Sequence, residues 1–208
     1  MKLLLKTDYL KAAILCASTE KTRYYLKGVH ITGVDNMFNV VATDGKSLFA
    51  ALQQDASETD VPLSFTFTIP LDICKLAVKA VGRNPVAVIE LPQANFESGR
   101  ATIAGIGFDA IEAGTYPDWR RVVPEKTTGE TAHFDANLVA IWAKVGKVFK
   151  SNPHFYHNGT GPAFITLGDD NAFGLLMPMR DGVFSDCAEI VERVTGKTPI
   201  INKALEAA

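Results

Sequence analysis

The chain has 208 residues, a formal net charge of −2 and 47% apolar residues, which suits one large or two small domains with a real core. Its three cysteines, Cys16, Cys74 and Cys187, offer no disulfide framework and no zinc spacing. No apolar run approaches a membrane span, and no global basicity advertises nucleic acid, although a local basic face would matter more than the sum. Met1–Leu5 is too short for the apolar core of a signal peptide, so a soluble cytoplasmic protein is expected.

Lys2–Leu5 reads as a short strand. Thr7 and Asp8 are expected to cap a helix whose apolar stripe is Leu10, Ala13, Ile14 and Ala17. Strands follow over Gly28–Val34, Asn39–Ala42 and Ser47–Leu52, with turns at Asp35-Asn36 and at Thr43–Lys46. Phe65–Ile69 alternates strictly and so predicts another strand. Pro70 suits a first helical turn, and Ile73, Leu76, Ala77 and Ala80 form the stripe of the helix after it. Val86–Leu91, Ala101–Ala104 and Phe108–Ala113 are further strands. The pattern starts again with a strand at Ala132–Phe134. Asp135 and Asn137 then cap a helix with Leu138, Ile141, Trp142 and Val145 on one face, and Phe164–Leu167 and Phe173–Met177 are strands.

The cap positions Asp8, Asp72 and Asn137 are spaced by 64 and 65 residues. Equal spacing of equal patterns implies duplication of one supersecondary unit. The chain therefore reads as three strand–helix–multistrand units, an α+β organisation of small antiparallel sheets, each with one helix packed on it. Two such units can join sheets. A third leaves an open sheet edge, which proteins normally cover or pair. Cys16 and Cys74 fall in apolar helical patterns, where a thiol acts as a small hydrophobe.

The helices carry charge of one sign beyond their caps: Lys11 on the first, Lys75 and Lys79 on the second, Lys144 and Lys147 on the third, with Lys150 just after. Solvated lysine faces are common. The functional alternative is a surface that meets phosphates and reads no bases. The run Ala172–Arg180 ends in Leu-Met-Pro-Met-Arg. It predicts an edge strand that stops at Pro178, because proline forbids a central ladder position there. Met177 and Met179 flank the proline, and methionine re-packs easily around varied apolar ligands.

Four segments make a recognisable set: Thr22–Gly28, Val41-Ala42-Thr43-Asp44-Gly45-Lys46-Ser47-Leu48, Tyr116-Pro117-Asp118-Trp119-Arg120-Arg121-Val122-Val123-Pro124, and Leu176–Arg180. In content and order the set resembles the bacterial DNA polymerase III beta subunit, the sliding clamp. The resemblance implies the DNA clamp fold, itself a repeat of small sheet-plus-helix units. On it, residues 1–124 look like a complete clamp domain, the middle one, and residues 125–180 like the second half of the last domain. Residues 181–208 look like an extension without counterpart. The family's first domain and the first half of its last domain, which close a dimeric ring around duplex DNA, have no counterpart either.

The resemblance further implies a pocket in which polymerases and other DNA enzymes dock a short apolar peptide. Carried over, it would use Leu26, Thr43, Gly45 and Leu48, then Pro117, Arg121 and Val122, then Leu175, Leu176, Met177, Pro178, Met179 and Arg180. It also places Tyr24 and Tyr25 on a DNA-facing loop, beside Lys21, Arg23 and Lys27. Lys46-Ser47 replaces a common His-Arg pair of the family, and Asp135 and Leu138 stand for an asparagine and a tyrosine.

Other signals carry little chemistry. His154 and His157 have no third ligand nearby, so a loop is expected there and no metal or cofactor. Thr195-Gly196-Lys197-Thr198 echoes a phosphate loop, but Val191 stands where its upstream glycine is required. Asn158-Gly159-Thr160 is a sequon without meaning in a cytoplasmic chain. No nucleophile–base arrangement rises above chance, so no enzyme activity is expected. The tail offers short helices at Ala188–Val194 and Lys203–Ala208, expected to cover the third unit's edge or lie in the pocket. The leading expectation is a clamp-like processivity factor that tethers DNA-processing proteins and contacts double-stranded DNA. A family ring holds twelve units, the number four copies of this chain would supply. The rival expectation is a monomeric peptide-binding module that does not encircle DNA.

Overall fold

The computed structural model describes residues 1–34, 37–54, 64–93, 95–111, 116–180 and 194. The first unit runs β1 (Lys2–Lys6), α1 (Thr7–Cys16), β2 (Gly28–Val34), β3 (Met37–Thr43) and β4 (Ser47–Gln54). The second runs β5 (Ser64–Pro70), α2 (Leu71–Val81), β6 (Val86–Glu90), β7 (Asn95–Phe96), β8 (Gly99–Ile103) and β9 (Ile106–Ala110). The third has α3 (Ala136–Phe149), β10 (His154–Tyr156), β11 (Ala163–Thr166) and β12 (Ala172–Leu176). The helices begin at Thr7, Leu71 and Ala136, so the 64- and 65-residue spacing is real. The turn expected at Asp35-Asn36 lies outside the described residues, as do the tail helices apart from Val194, which is helical and exposed.

The units do not keep their own strands. β1 leaves the first unit and pairs β6, with Lys6 opposite Val86 and Leu5 opposite Ala87. β5 leaves the second unit and pairs β2, with Pro70 opposite Gly28 and Ile69 opposite Val29. In both cases the residue just before a helix meets the first residue of the strand after the sister helix. This reciprocal exchange yields a four-stranded sheet, β1-β6-β8-β9, and an eight-stranded sheet, β10-β11-β12-β4-β3-β2-β5-β7. It corrects the expectation of one separate sheet per unit: apolar residues Leu3, Leu5, Phe67 and Ile69 are fully buried only because both units wrap one core.

Five local expectations are also corrected. β12 is an interior strand, laddered on β11 and on β4. Pro178 lies beyond the last ladder residue, Leu176, so it costs no sheet hydrogen bond. Residues 132–134 form no strand, and 154–156 form one instead of a loop. Neither Thr7 nor Asp8 caps α1: its N-cap is Lys6, and Thr7 Oγ1 donates to Asn84 O at 2.9 Å. The buried face of α2 is Leu71, Cys74 and Ala77, while Leu76 and Ala80 are exposed, because the helix starts at Leu71 and its stripe is set from there.

The third helix is capped as expected at Asp135, whose carboxylate accepts from Asn137 N at 2.8 Å. Trp142 lies fully buried beneath Gly174 of β12, where any Cβ would overlap the indole ring. α1 packs on both α2 and α3, so the three helices lie side by side. Burial pushes the Cys16 and Cys74 thiols well up, so both are unreactive packing groups. The chain divides into two compact units, Met1–Pro178 and Met179–Ala208, of which the first is the one described above. No described helix is long and apolar enough to cross a membrane.

Candidate functional site

One end of the β4–β12 pair carries an apolar cavity of about 230 Å³. Its floor is Leu48 of β4 and Leu175 of β12, directly opposite in the ladder. Its first wall is the turn from Thr43 to Ser47, which is built by side chain–backbone bonds. Asp44 Oδ1 accepts from Lys46 N at 2.8 Å and Ser47 N at 2.7 Å, and Gly45 N donates to Thr43 Oγ1 at 3.0 Å. Gly45 takes φ +87°, a left-handed conformation that favours glycine. Met177 N donates to Lys46 O at 2.8 Å, which ties the end of β12 to this turn and brings its side chain to the rim.

The second wall comes from a 3-10 turn, Trp119–Val122. Residues three apart in such a turn share a face, so Trp119 and Val122 meet the cavity while Arg120 and Arg121 stay exposed. Arg120 lies over the Trp119 ring at 4.6 Å, and Trp119 packs against Phe173 of β12. Pro117 and Pro162 complete the rim. Within the wall, Ser47 Oγ and Trp119 Nε1 are buried without a protein hydrogen-bond partner.

Of the residues carried over from the resemblance, Leu26, Thr43, Gly45, Leu48, Pro117, Val122, Leu175 and Met177 line this cavity. Leu176 does not. Side chains alternate along β12, so it turns to the opposite face and the main core, fully buried. Pro178 lies beyond the last ladder residue and does not line the cavity, and Arg121 is turned outward by the 3-10 period. Met179 and Arg180 belong to the second compact unit. Lys46, Ser47, Asp118, Trp119 and Pro162 line it as well. Trp119 lies inside the Tyr116–Pro124 motif. Pro162 lies between β10 and β11, and no local signal in the sequence points to it.

The basic residues fall in two places. Lys75, Lys79, Lys144 and Lys147 are exposed on α2 and α3, the helices that flank α1. Lys11 on α1 is tied to Asp8 at 3.2 Å. The Lys21–Lys27 loop is separate: Arg23 pairs with Glu20 at 3.3 Å and donates to Asp44 O at 3.1 Å, bracing the cavity turn. Tyr24 is exposed and meets Tyr25 edge-on at 5.7 Å. Behind the cavity, buried His30 stacks on Tyr116 at 4.1 Å and bonds Thr68 Oγ1 through Nδ1 at 3.1 Å. Burial, and secondly the charge of Arg120, lower its pKa to about 4. Among the described residues no group of three or more metal-ligating side chains assembles.

No family model matches this chain, and no curated protein matches it in sequence. Solved structures match its fold, which is that of the DNA sliding clamps. The DNA polymerase III beta subunit of Thermotoga maritima aligns with TM-score 0.63 and 15% identity, over 86% of this chain and 65% of its own. The DNA polymerase sliding clamp of Bacillus subtilis aligns with TM-score 0.66 and 15% identity, over 86% and 64%. The beta sliding clamp of C. crescentus gives 0.63 and 17%, over 86% and 65%. The chain thus spans just under two thirds of the length of these clamps, and at this identity the likeness is one of fold.

Proposed function

We propose that this protein is a clamp-like, non-catalytic tether that docks a short apolar peptide of a DNA-processing protein in the β4–β12 cavity. The observation that carries the reading is the meeting of three distant segments, Leu26–Leu48, Pro117–Val122 and Leu175–Met177, around one apolar cavity in a chain with the clamp fold. A leucine or phenylalanine anchor buried there contributes about 1.5–3 kcal/mol. A peptide backbone carbonyl would supply the acceptor that Trp119 Nε1 lacks. The second contact is with duplex DNA through Lys75, Lys79, Lys144 and Lys147, whose exposed ammonium groups suit phosphates without base reading.

The test is titration of the full chain with a fluorescent peptide carrying leucine and phenylalanine anchors. Saturable binding that weakens on Met177→Ala and on Pro117→Ala is expected. Absence of binding, or binding indifferent to both changes, would overturn the reading. The two expectations of ring and module separate on circular DNA: a ring is retained on it and released by linearisation, and a monomeric module is not retained.

A further inference from the structure

The outer face of the third unit's strands continues the cavity floor. Ladder partners share a face, so the row that carries Leu48 and Leu175 runs on through Phe164 to Tyr156. The next row along the strands, Phe173, Thr166 and His154, lies on the same face about 7 Å away. The rings of these rows follow one another. Tyr156 meets Phe164 at 6.5 Å between centroids, Phe164 stacks on Phe173 at 5.1 Å with 17° between planes, and Phe173 packs on Trp119 of the cavity wall at 6.3 Å. Phe164 and Phe173 are half-buried, and both also line a second, open hollow of about 610 Å³ with His154, Thr166, Asp169 and Asp170. That lining holds two carboxylates and neither lysine nor arginine. Asp169 is committed, since it accepts from the Tyr9 hydroxyl and from Asn171 N. Asp170 is exposed and, among the described residues, unpaired.

We propose that this hollow takes an arginine of the peptide docked in the cavity, its guanidinium lying over Phe164 and Phe173 and pairing with the Asp170 carboxylate. The inference rests on the peptide reading of the cavity and adds a second contact to it. The chain shows the same chemistry at the other end of the row of rings, where Arg120 lies over Trp119 at 4.6 Å. Among the described residues no cation covers Phe164 or Phe173. A planar guanidinium suits the place because it stacks on a ring face while its edge bonds a carboxylate, and a compact ammonium does not combine the two. The spacing follows from the sheet. Phe164 is one strand, about 4.8 Å, from Leu175, and Phe173 is two residues from it along β12. An extended peptide rises about 3.3 Å per residue, so the arginine stands about two to four residues from the anchor seated over Leu48 and Leu175.

The test uses the full chain and fluorescent peptides that share one leucine-phenylalanine anchor. Arginine, alanine or glutamate is placed about two to four residues from the anchor, on either side. At one placement arginine should bind about fivefold more tightly than alanine, and glutamate more weakly, with the differences shrinking at high salt. Asp170→Asn and, separately, Phe164→Leu should each reduce that gain, taken relative to the same variant's affinity for the alanine peptide so that any general loss of fold or cavity cancels. Equal affinities for arginine and alanine at every placement would overturn this inference and leave the cavity reading standing. A gain that survives both variants would overturn it too, by placing the arginine elsewhere. Failure of every peptide to bind would overturn the cavity reading, and this one with it.

Discussion

Leu48 and Leu175 face each other across the β4–β12 ladder, 127 residues apart in the chain and both buried. This pair does two things at once. It welds the third unit onto the first, and it floors the cavity. Affinity for an apolar ligand is therefore best probed at the rim, where stability is not at stake. Met177 is 40% exposed, so Met177→Ala should weaken an apolar peptide about tenfold with the melting temperature essentially unchanged. Isothermal calorimetry beside thermal unfolding measures both. Undiminished affinity would remove the methionine from the site.

Gly174 and Trp142 make the complementary prediction about stability. No side chain fits on Gly174, because its Cβ position is filled by the indole ring. Gly174→Ala should cost on the order of 1–3 kcal/mol by overpacking. Combining it with Trp142→Leu should recover part of the loss, since the two changes share one space. Denaturant unfolding of the single and double variants decides it: strictly additive losses would contradict the packing account.

His30 should make stability depend on pH. It is 6% exposed and its folded pKa is lowered to about 4, whereas an unfolded histidine titrates near 6.5. Between those values the unfolded chain holds a proton that the native state refuses. Stability is thus complete above about pH 6.5 and falls as the pH drops towards 4, by about 3 kcal/mol at most. His30→Gln should flatten that segment of the stability profile. An identical slope in the variant would assign the effect to another group.

The lysines make a prediction about salt. If α2 and α3 meet phosphates, binding to duplex DNA should weaken steeply with salt and ignore base sequence. The double change Lys144→Gln and Lys147→Gln should reduce the slope of log K against log salt by about two. Fluorescence anisotropy at several ionic strengths reads this directly, and an unchanged slope would move the DNA contact off α3.

Much of the fold was legible because it repeats. The equal spacing of the helix starts, the alternation of Phe65–Ile69 and the Thr43–Lys46 turn all follow from local periodicity and turn chemistry. The stripe of α2 is ambiguous in the sequence, because Leu76 and Ala80 satisfy helical spacing with Ala77 as well as Leu71 and Cys74 do. Only the sheet beneath shows which face is covered. The cavity was legible by resemblance at Leu48, Pro117 and Met177. At Leu176 and Arg121 the phase of a strand and of a 3-10 turn intervened, and the motif does not state that phase.

By itself, then, the sequence determined the equal spacing of the helices and the Thr43–Lys46 turn, since these depend on residues within a few positions of one another. Tertiary structure alone decided that β1 and β5 trade places, that β12 is interior and that β10 is left at an edge. Strand partners are chosen by which apolar faces can be buried together, and Leu5 against Ala87 or Leu48 against Leu175 is a choice made across most of the chain.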